Sequence, residues 1–366
     1  MSLAVLAPIF TTLFLSWLIE ATESLELAPV TGILLIVGIV MFLLPPVPGA
    51  PIYLTLGIVI IPVGGRQFGT DYIGILISMA YAMVVSLALK LLATALQQKM
   101  IGGLLKGSIG VRKLVGINSN LIRAMKFLLI QPGLNVAKVS ILCGGPDWPT
   151  SVLCGILDLP LLPILLGTLP VMLLIVPTVL AGSFTYMKGM NDEVDNDGSI
   201  TLVPTYGWAG TAAAISAALA AGVLFSNMVL AAYYVEDTLT NNAEDVQALP
   251  IDEEVKVLED NETVIEHKFT EITRWEVVPG AAKTLMILSV ISMIAACYTV
   301  QIFGDQAFKS YQLTDTIDNR LGGDWKNIVE PLGLVSMCLL ALSIVLLQLF
   351  MYWASVSEVI VVKSLI

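Results

Sequence analysis

Four ionisable side chains stand inside long apolar stretches: Lys90, Lys138, Asp147 and Asp158. A lysine or aspartate at the centre of a lipid-inserted helix costs roughly 2.5–3.5 kcal/mol, so such groups usually face a cavity, a partner or a polar permeant. Lys138 lies on the entering limb of a segment whose tip reads Gly144-Gly145-Pro146-Asp147-Trp148-Pro149-Thr150. Asp147 has a local alternative, because a carboxylate just before Trp148-Pro149 suits the cap of the following half-helix. Lys138 and Asp158 have one too, as a snorkelling lysine and an interfacial aspartate. Lys90 is deeper in its run than the other three and less easily assigned to an interface.

Other chemistries lack their parts. The only histidine is His267, in a polar stretch, so an intramembrane serine nucleophile has no histidine base beside it. Asp147 and Asp158 belong to one short segment, not to two facing spans as an aspartyl protease would need. No P-loop or dinucleotide fingerprint occurs in its required context. The four cysteines (Cys143, Cys154, Cys297, Cys338) lie in apolar surroundings without a CxxC pair, and no metal or cofactor is expected. Nucleic acid is not an expected partner, since no basic stripe with interleaved aromatics is present. The chain does not read as an enzyme.

The elements that must position these residues follow from composition. Hydrophobic residues make up 57% of the 366 and charged ones only 13%, against about 25% charged in soluble domains. Several runs reach the roughly 18–20 residues that a hydrocarbon core requires, without the period-2 alternation of barrel strands. Helices are therefore predicted. The formal charge of −11 is local: between Glu236 and Pro279 there are 13 acids and three bases, and the remainder is close to neutral.

Along the chain, residues 1–27 hold an apolar helix and 28–188 a membrane domain. Residues 189–235 give an acidic loop and a span, 236–279 an acidic polar excursion, and 280–366 two further spans. Segment 98–127 carries Lys99, Lys106, Arg112, Lys113, Arg123 and Lys126 with no acid, and fits a helix lying on the cytoplasmic membrane surface. Alternation around Asp260-Asn261 allows either a small β-hairpin or a disordered acidic linker that binds protein partners. The sequon Asn261-Glu262-Thr263 falls on the cytoplasmic side of this topology and is expected to carry no glycan.

Two apolar segments are dense in breakers. The first, 45–65, begins Pro45-Pro46-Val47-Pro48-Gly49-Ala50-Pro51 and ends Pro62-Val63-Gly64-Gly65, leaving about ten residues for regular helix. The second, 132–158, is broken at Pro132-Gly133 and again at Gly144–Pro149. Both read as re-entrant hairpins, which free backbone groups to face a permeant. The expected fold is an all-α integral membrane protein with about seven transmembrane helices and two opposed re-entrant helical hairpins. Its transport groove is expected to comprise Pro46, Pro48, Gly49, Pro51, Lys90, Asn135, Lys138, Gly144, Gly145, Asp147, Trp148, Pro149, Thr150 and Asp158.

The arrangement resembles the DedA / SNARE-associated Golgi protein (VTT-domain) superfamily. The resemblance rests on Leu44-Pro45-Pro46-Val47-Pro48-Gly49 with Tyr53 and Gly57, then on Gln131-Pro132-Gly133, Gly144-Gly145 and the Gly167–Pro170 stretch, covering 28–188. It implies hairpins facing each other from opposite leaflets and movement of phospholipids between leaflets. Where bacterial members carry acids around the first motif, this chain has Met41 and Ala50; where they carry arginines around the second, it has Leu129 and Asn135. The resemblance therefore implies scrambling in an endomembrane such as ER or Golgi, with membrane phospholipids as partners. An ion-coupled or small-solute transporter, or a membrane scaffold acting through the acidic segment, are the alternatives.

Overall fold

The structure is a computed structural model. It describes all residues except 1, 23, 45–46, 145–146, 189, 195–199, 205, 260–272, 312–316 and 365–366. For 2–9, 147–148, 190–194, 200–204, 305 and 357–364 it describes the backbone alone. Apart from one antiparallel hairpin, Met190–Val194 with Ile200–Pro204, the regular structure among the described residues is helical. Six helices there are long and apolar enough to cross a membrane: Gly49–Phe68, Tyr72–Leu105, Leu161–Met187, Ala209–Asn241, Gly280–Ile302 and Pro331–Val356. Phe10–Thr22 and Leu27–Leu43 are apolar but shorter. The all-α membrane class holds, with six span-length helices where about seven are expected.

Contacts divide the chain into two units, Phe14–Val255 and Lys256–Ile366 with Met1–Leu13. The division falls inside the acidic excursion. In the smaller unit, Gly280–Ile302 packs along Pro331–Ser364. Ser289 and Ser343 donate to each other's carbonyls at 2.9 Å, and Ser336 Oγ donates to Ala296 O at 2.9 Å. Small hydroxyl residues let apolar helices approach and bond where water does not compete.

The larger unit contains α2 (Leu27–Leu43), α3 (Gly49–Phe68), α4 (Tyr72–Leu96), a π-helical turn (Gln97–Gly102), α5 (Gly103–Leu105), α6 (Ile109–Val115) and α7 (Asn120–Ile130). They are followed by α8 (Val136–Gly144), α9 (Asp147–Ile156), α10 (Leu161–Thr168), α11 (Met172–Met187), α12 (Ala209–Asn241) and α13 (Ala243–Ala248). The first breaker cluster does end α2. Beyond it, however, the chain is one 20-residue helix that runs through Pro62 and Gly64-Gly65. The expectation of only ten helical residues there is corrected. Gly64 is a contact, not a terminator: a Cβ on it would lie 2.4 Å from Ser78 Oγ of α4. Pro51 falls in the first turn, where its missing N–H costs nothing.

The second segment does break into two helices of nine and ten residues, each too short to span alone. They pack on different neighbours, α8 chiefly along α12 and α9 chiefly along the π-helical turn. The main partners of α3 are α11 and α4. The two broken segments are thus not each other's principal packing partners.

The basic and acidic stretches meet, which their sequences did not announce. Arg112 pairs with Asp252 and Glu254, and the Glu254 hydrogen bond foremost holds its guanidinium above the ordinary arginine range. Asn118 exchanges two hydrogen bonds with the Asp252 backbone, at 3.0 and 2.9 Å. Arg123, 6% exposed, donates to the carbonyls of Val246, Gln247 and Leu249. It closes the end of α13, where helix carbonyls lack partners. Residues 243–255 are therefore docked against the basic segment, so both occupy one side of the membrane. The sequence-level β-hairpin at Asp260-Asn261 and the sequon lie outside the described residues.

Replacing Arg123 with alanine is expected to remove the side-chain donor from the Gln247 and Leu249 carbonyls, Val246 O keeping the Leu249 N–H, at a cost of about 2–3 kcal/mol. Hydrogen exchange across 243–255 should accelerate by about tenfold or more. Arg123→Lys should restore only part of the protection, because an ammonium lacks the guanidinium fork. Unchanged exchange in Arg123→Ala would mean that the docking rests on Arg112 and the apolar contacts alone.

Candidate functional site

Helix α4 and the π-helical turn that continues it carry the feature that most needs a function. Ser78, Ser86, Lys90, Thr94, Gln97 and Gln98 are each at most 1% exposed. Residues 86, 90, 94, 97 and 98 follow the three-to-four spacing of one helix face. From Ser86 to Gln98 the strip extends about 18 Å at 1.5 Å per residue. Ser78 and Ser86 return their hydroxyls to their own helix, at 2.8 and 2.7 Å. Lys90 sits near the middle of the 72–105 stretch, its Nζ 5.7 Å from the centroid of the Phe42 ring.

Two adjacent glutamines tie this strip to the backbone just before the first breaker cluster and just after the second segment. Gln97 Nε2 donates at 2.6 Å to Phe42 O, at the open carbonyl end of α2. Gln98 Nε2 donates at 2.7 Å to Leu159 O, just past α9. Their other amide atoms, Gln97 Oε1 and Gln98 Oε1, and the Thr94 hydroxyl are buried without a protein partner among the described residues. Three such atoms in succession are unusual in a protein interior and call for an explanation. The π-helical turn, an element often found at functional sites, begins at Gln97. Its tight contact with α9 requires Gly102 and Gly155, since a Cβ on Gly155 would fall 2.1 Å from Gln98 O.

The residues expected to line a groove divide into several groups. Lys90 is in the strip. Lys138 is buried elsewhere: its Nζ donates to Gln131 O and, at 3.3 Å, to Gly133 O, closing the end of α7. Asn135 caps α8, its Oδ1 accepting from Lys138 N at 2.7 Å. Gly144 marks a close crossing, where a Cβ would meet Asn227 of α12 at 2.5 Å. Asp158 ends α9: at φ 57° it is the left-handed residue of a Schellman turn, with Leu159 N bonded to Cys154 O and Asp158 N to Gly155 O. Its exposed carboxylate pairs with Lys106 at 2.9 Å, and that hydrogen bond holds it below the usual carboxylate range. Each of these four residues thus has a local partner or close contact in the fold, away from the α4 strip.

Pro48 caps α3 and is exposed, Gly49 is buried at its start, and Pro51 is half-buried in its first turn. Pro149 is exposed and Thr150 buried on α9. Pro46 and Gly145 lie outside the described residues, as do the side chains of Asp147 and Trp148. Sequence reasoning missed Thr94, Gln97 and Gln98. Their signal was present as polar residues at helical spacing from Lys90 within an apolar run, but nothing in one dimension showed which face was buried.

No protein-family model matches the chain, and neither a curated protein nor a solved structure shows significant similarity to it.

Proposed function

We propose that this protein is a membrane lipid transporter that lets phospholipids exchange between leaflets. The observation that carries the reading is the strip Lys90–Thr94–Gln97–Gln98, with three unsatisfied polar atoms on side chains that reach the ends of α2 and α9 or lie one turn from them. A polar lipid head group crossing a hydrocarbon core needs such a lining, and intramembrane polar residues at helix breaks are where transporters place it. The strip is covered here, so exchange requires α2, which carries Phe42, to move aside. The resemblance of 28–188 to the DedA / SNARE-associated Golgi superfamily supports the same activity, and with it a location in an endomembrane. Met41 and Leu129 are buried apolar residues, which favours passive exchange over ion coupling. The scaffold alternative draws no support from Asp252 and Glu254, which Arg112 engages within the chain.

The purified protein in liposomes with a fluorescent phospholipid provides the test. Dithionite should bleach nearly all of the dye if leaflets exchange, and about half if they do not. Bleaching equal to that of protein-free liposomes would reject the proposal.

A further inference from the structure

A second feature lies outside the strip. A cavity of about 350 Å³ opens where α7, the end of α9 and the 249–252 stretch converge. Its charged lining is Lys106, Arg112, Arg123, Lys126, Asp158 and Asp252, four cations against two carboxylates. The remaining walls include apolar Ile117, Ile156, Leu157 and Ile251. Most of the cationic donors are occupied. Lys106 holds Asp158, Arg112 holds Asp252 and Glu254, and Arg123 holds the α13 carbonyls. Two remain: Arg112 Nε is buried without a partner, and Lys126 Nζ has none among the described residues.

We infer that this cavity binds the phosphate of an anionic phospholipid head group, with Lys126 and Arg112 as its donors. Net positive charge and spare N–H donors select a phosphate, for which charge-assisted hydrogen bonds are strong. The volume suits a head group, at the lower end of small-ligand sites. A lipid is favoured over free phosphate by the surroundings. The basic segment exposes Met100, Leu104, Leu114 and Leu121, side chains that suit the acyl boundary of a bilayer. The cavity also has apolar walls that a free ion would not use. Asp158 and Asp252 partly offset the cations, so the site discriminates by the number of phosphate charges. A monoester is preferred to a zwitterionic head group.

The inference rests on the membrane placement of the chain and not on transport. Binding of short-chain phosphatidic acid, short-chain phosphatidylcholine and inorganic phosphate to the full-length protein in detergent would be measured by native mass spectrometry and calorimetry. Phosphatidic acid should bind about tenfold tighter than either of the other two. Lys126→Ala should weaken it about five- to tenfold, Lys126→Arg should retain it, and the exposed control Lys188→Ala, outside the cavity lining, should leave it unchanged. Thermal unfolding of each variant, coincident with that of the native protein, would show that the fold persists. Parity between phosphatidic acid and phosphatidylcholine would overturn the inference, as would unaltered binding in Lys126→Ala. Inorganic phosphate binding as tightly as phosphatidic acid would reject the lipid in favour of the free anion. A protein that binds phosphatidic acid but exchanges no lipid would sink the transport reading and leave this site standing.

Discussion

Gly182→Leu is expected to destabilise the membrane core by about 3 kcal/mol or more, at the upper end of what overpacking costs. The added Cβ would lie 2.1 Å from Leu54 O and 3.2 Å from Gly57 Cα, both backbone atoms of α3. A flexible side chain could rotate away from such an overlap, but a packed helix has to translate bodily. The crossing is also where Ser183 Oγ donates to Val179 O at 2.9 Å and approaches Gly57 O at 3.5 Å. Separating α3 from α11 would therefore strip contacts along one of the main interfaces of the larger unit. Fluorescence-detected size exclusion and thermal unfolding in detergent would report the loss. Gly222→Leu is the matched control, since a Cβ on Gly222 meets nothing within 4 Å. Equal behaviour of the two variants would show that α3 and α11 are not held by this close approach.

Lys90→Met should slow leaflet exchange by about tenfold or more while leaving the protein folded. Methionine keeps the unbranched apolar stem and removes only Nζ, so packing against Phe42 is conserved as far as chemistry allows. Thermal unfolding in detergent, measured beside exchange, checks that the variant remains folded. Loss of exchange in a variant that stays folded would separate a functional role from a structural one. Leu92→Met, on the exposed face of the same helix, should change neither quantity. Native exchange rates in Lys90→Met would remove the polar strip from the transport path, whatever the liposome assay showed for the native protein.

Read residue by residue, the sequence determined more than its class. Apolar runs without alternation could only be helices in lipid, and the Pro-Gly clusters marked where α2 ends and where α8 and α9 divide. Those outcomes depend on local chemistry: a missing N–H, a fixed φ, a hydrocarbon length. It also singled out Lys90, because a lysine deep in an apolar run is conspicuous in one dimension. Tertiary structure decided the rest, because partners distant in sequence supply it. Gly64-Gly65 reads as a break until Ser78 is found against it, and only the folded chain shows that Lys138 donates to Gln131 O. Gln97 and Gln98 look like the polar end of a span until the carbonyls of Phe42 and Leu159 appear beside them. The docking of 243–255 on Arg112 and Arg123 closes a loop of more than a hundred residues, and no local periodicity encodes such a contact. The sequence thus determined where helices start and stop and which charge was out of place. Only the folded chain decided which polar atoms were already satisfied, and hence that Thr94, Gln97 and Gln98 are left with capacity to bind.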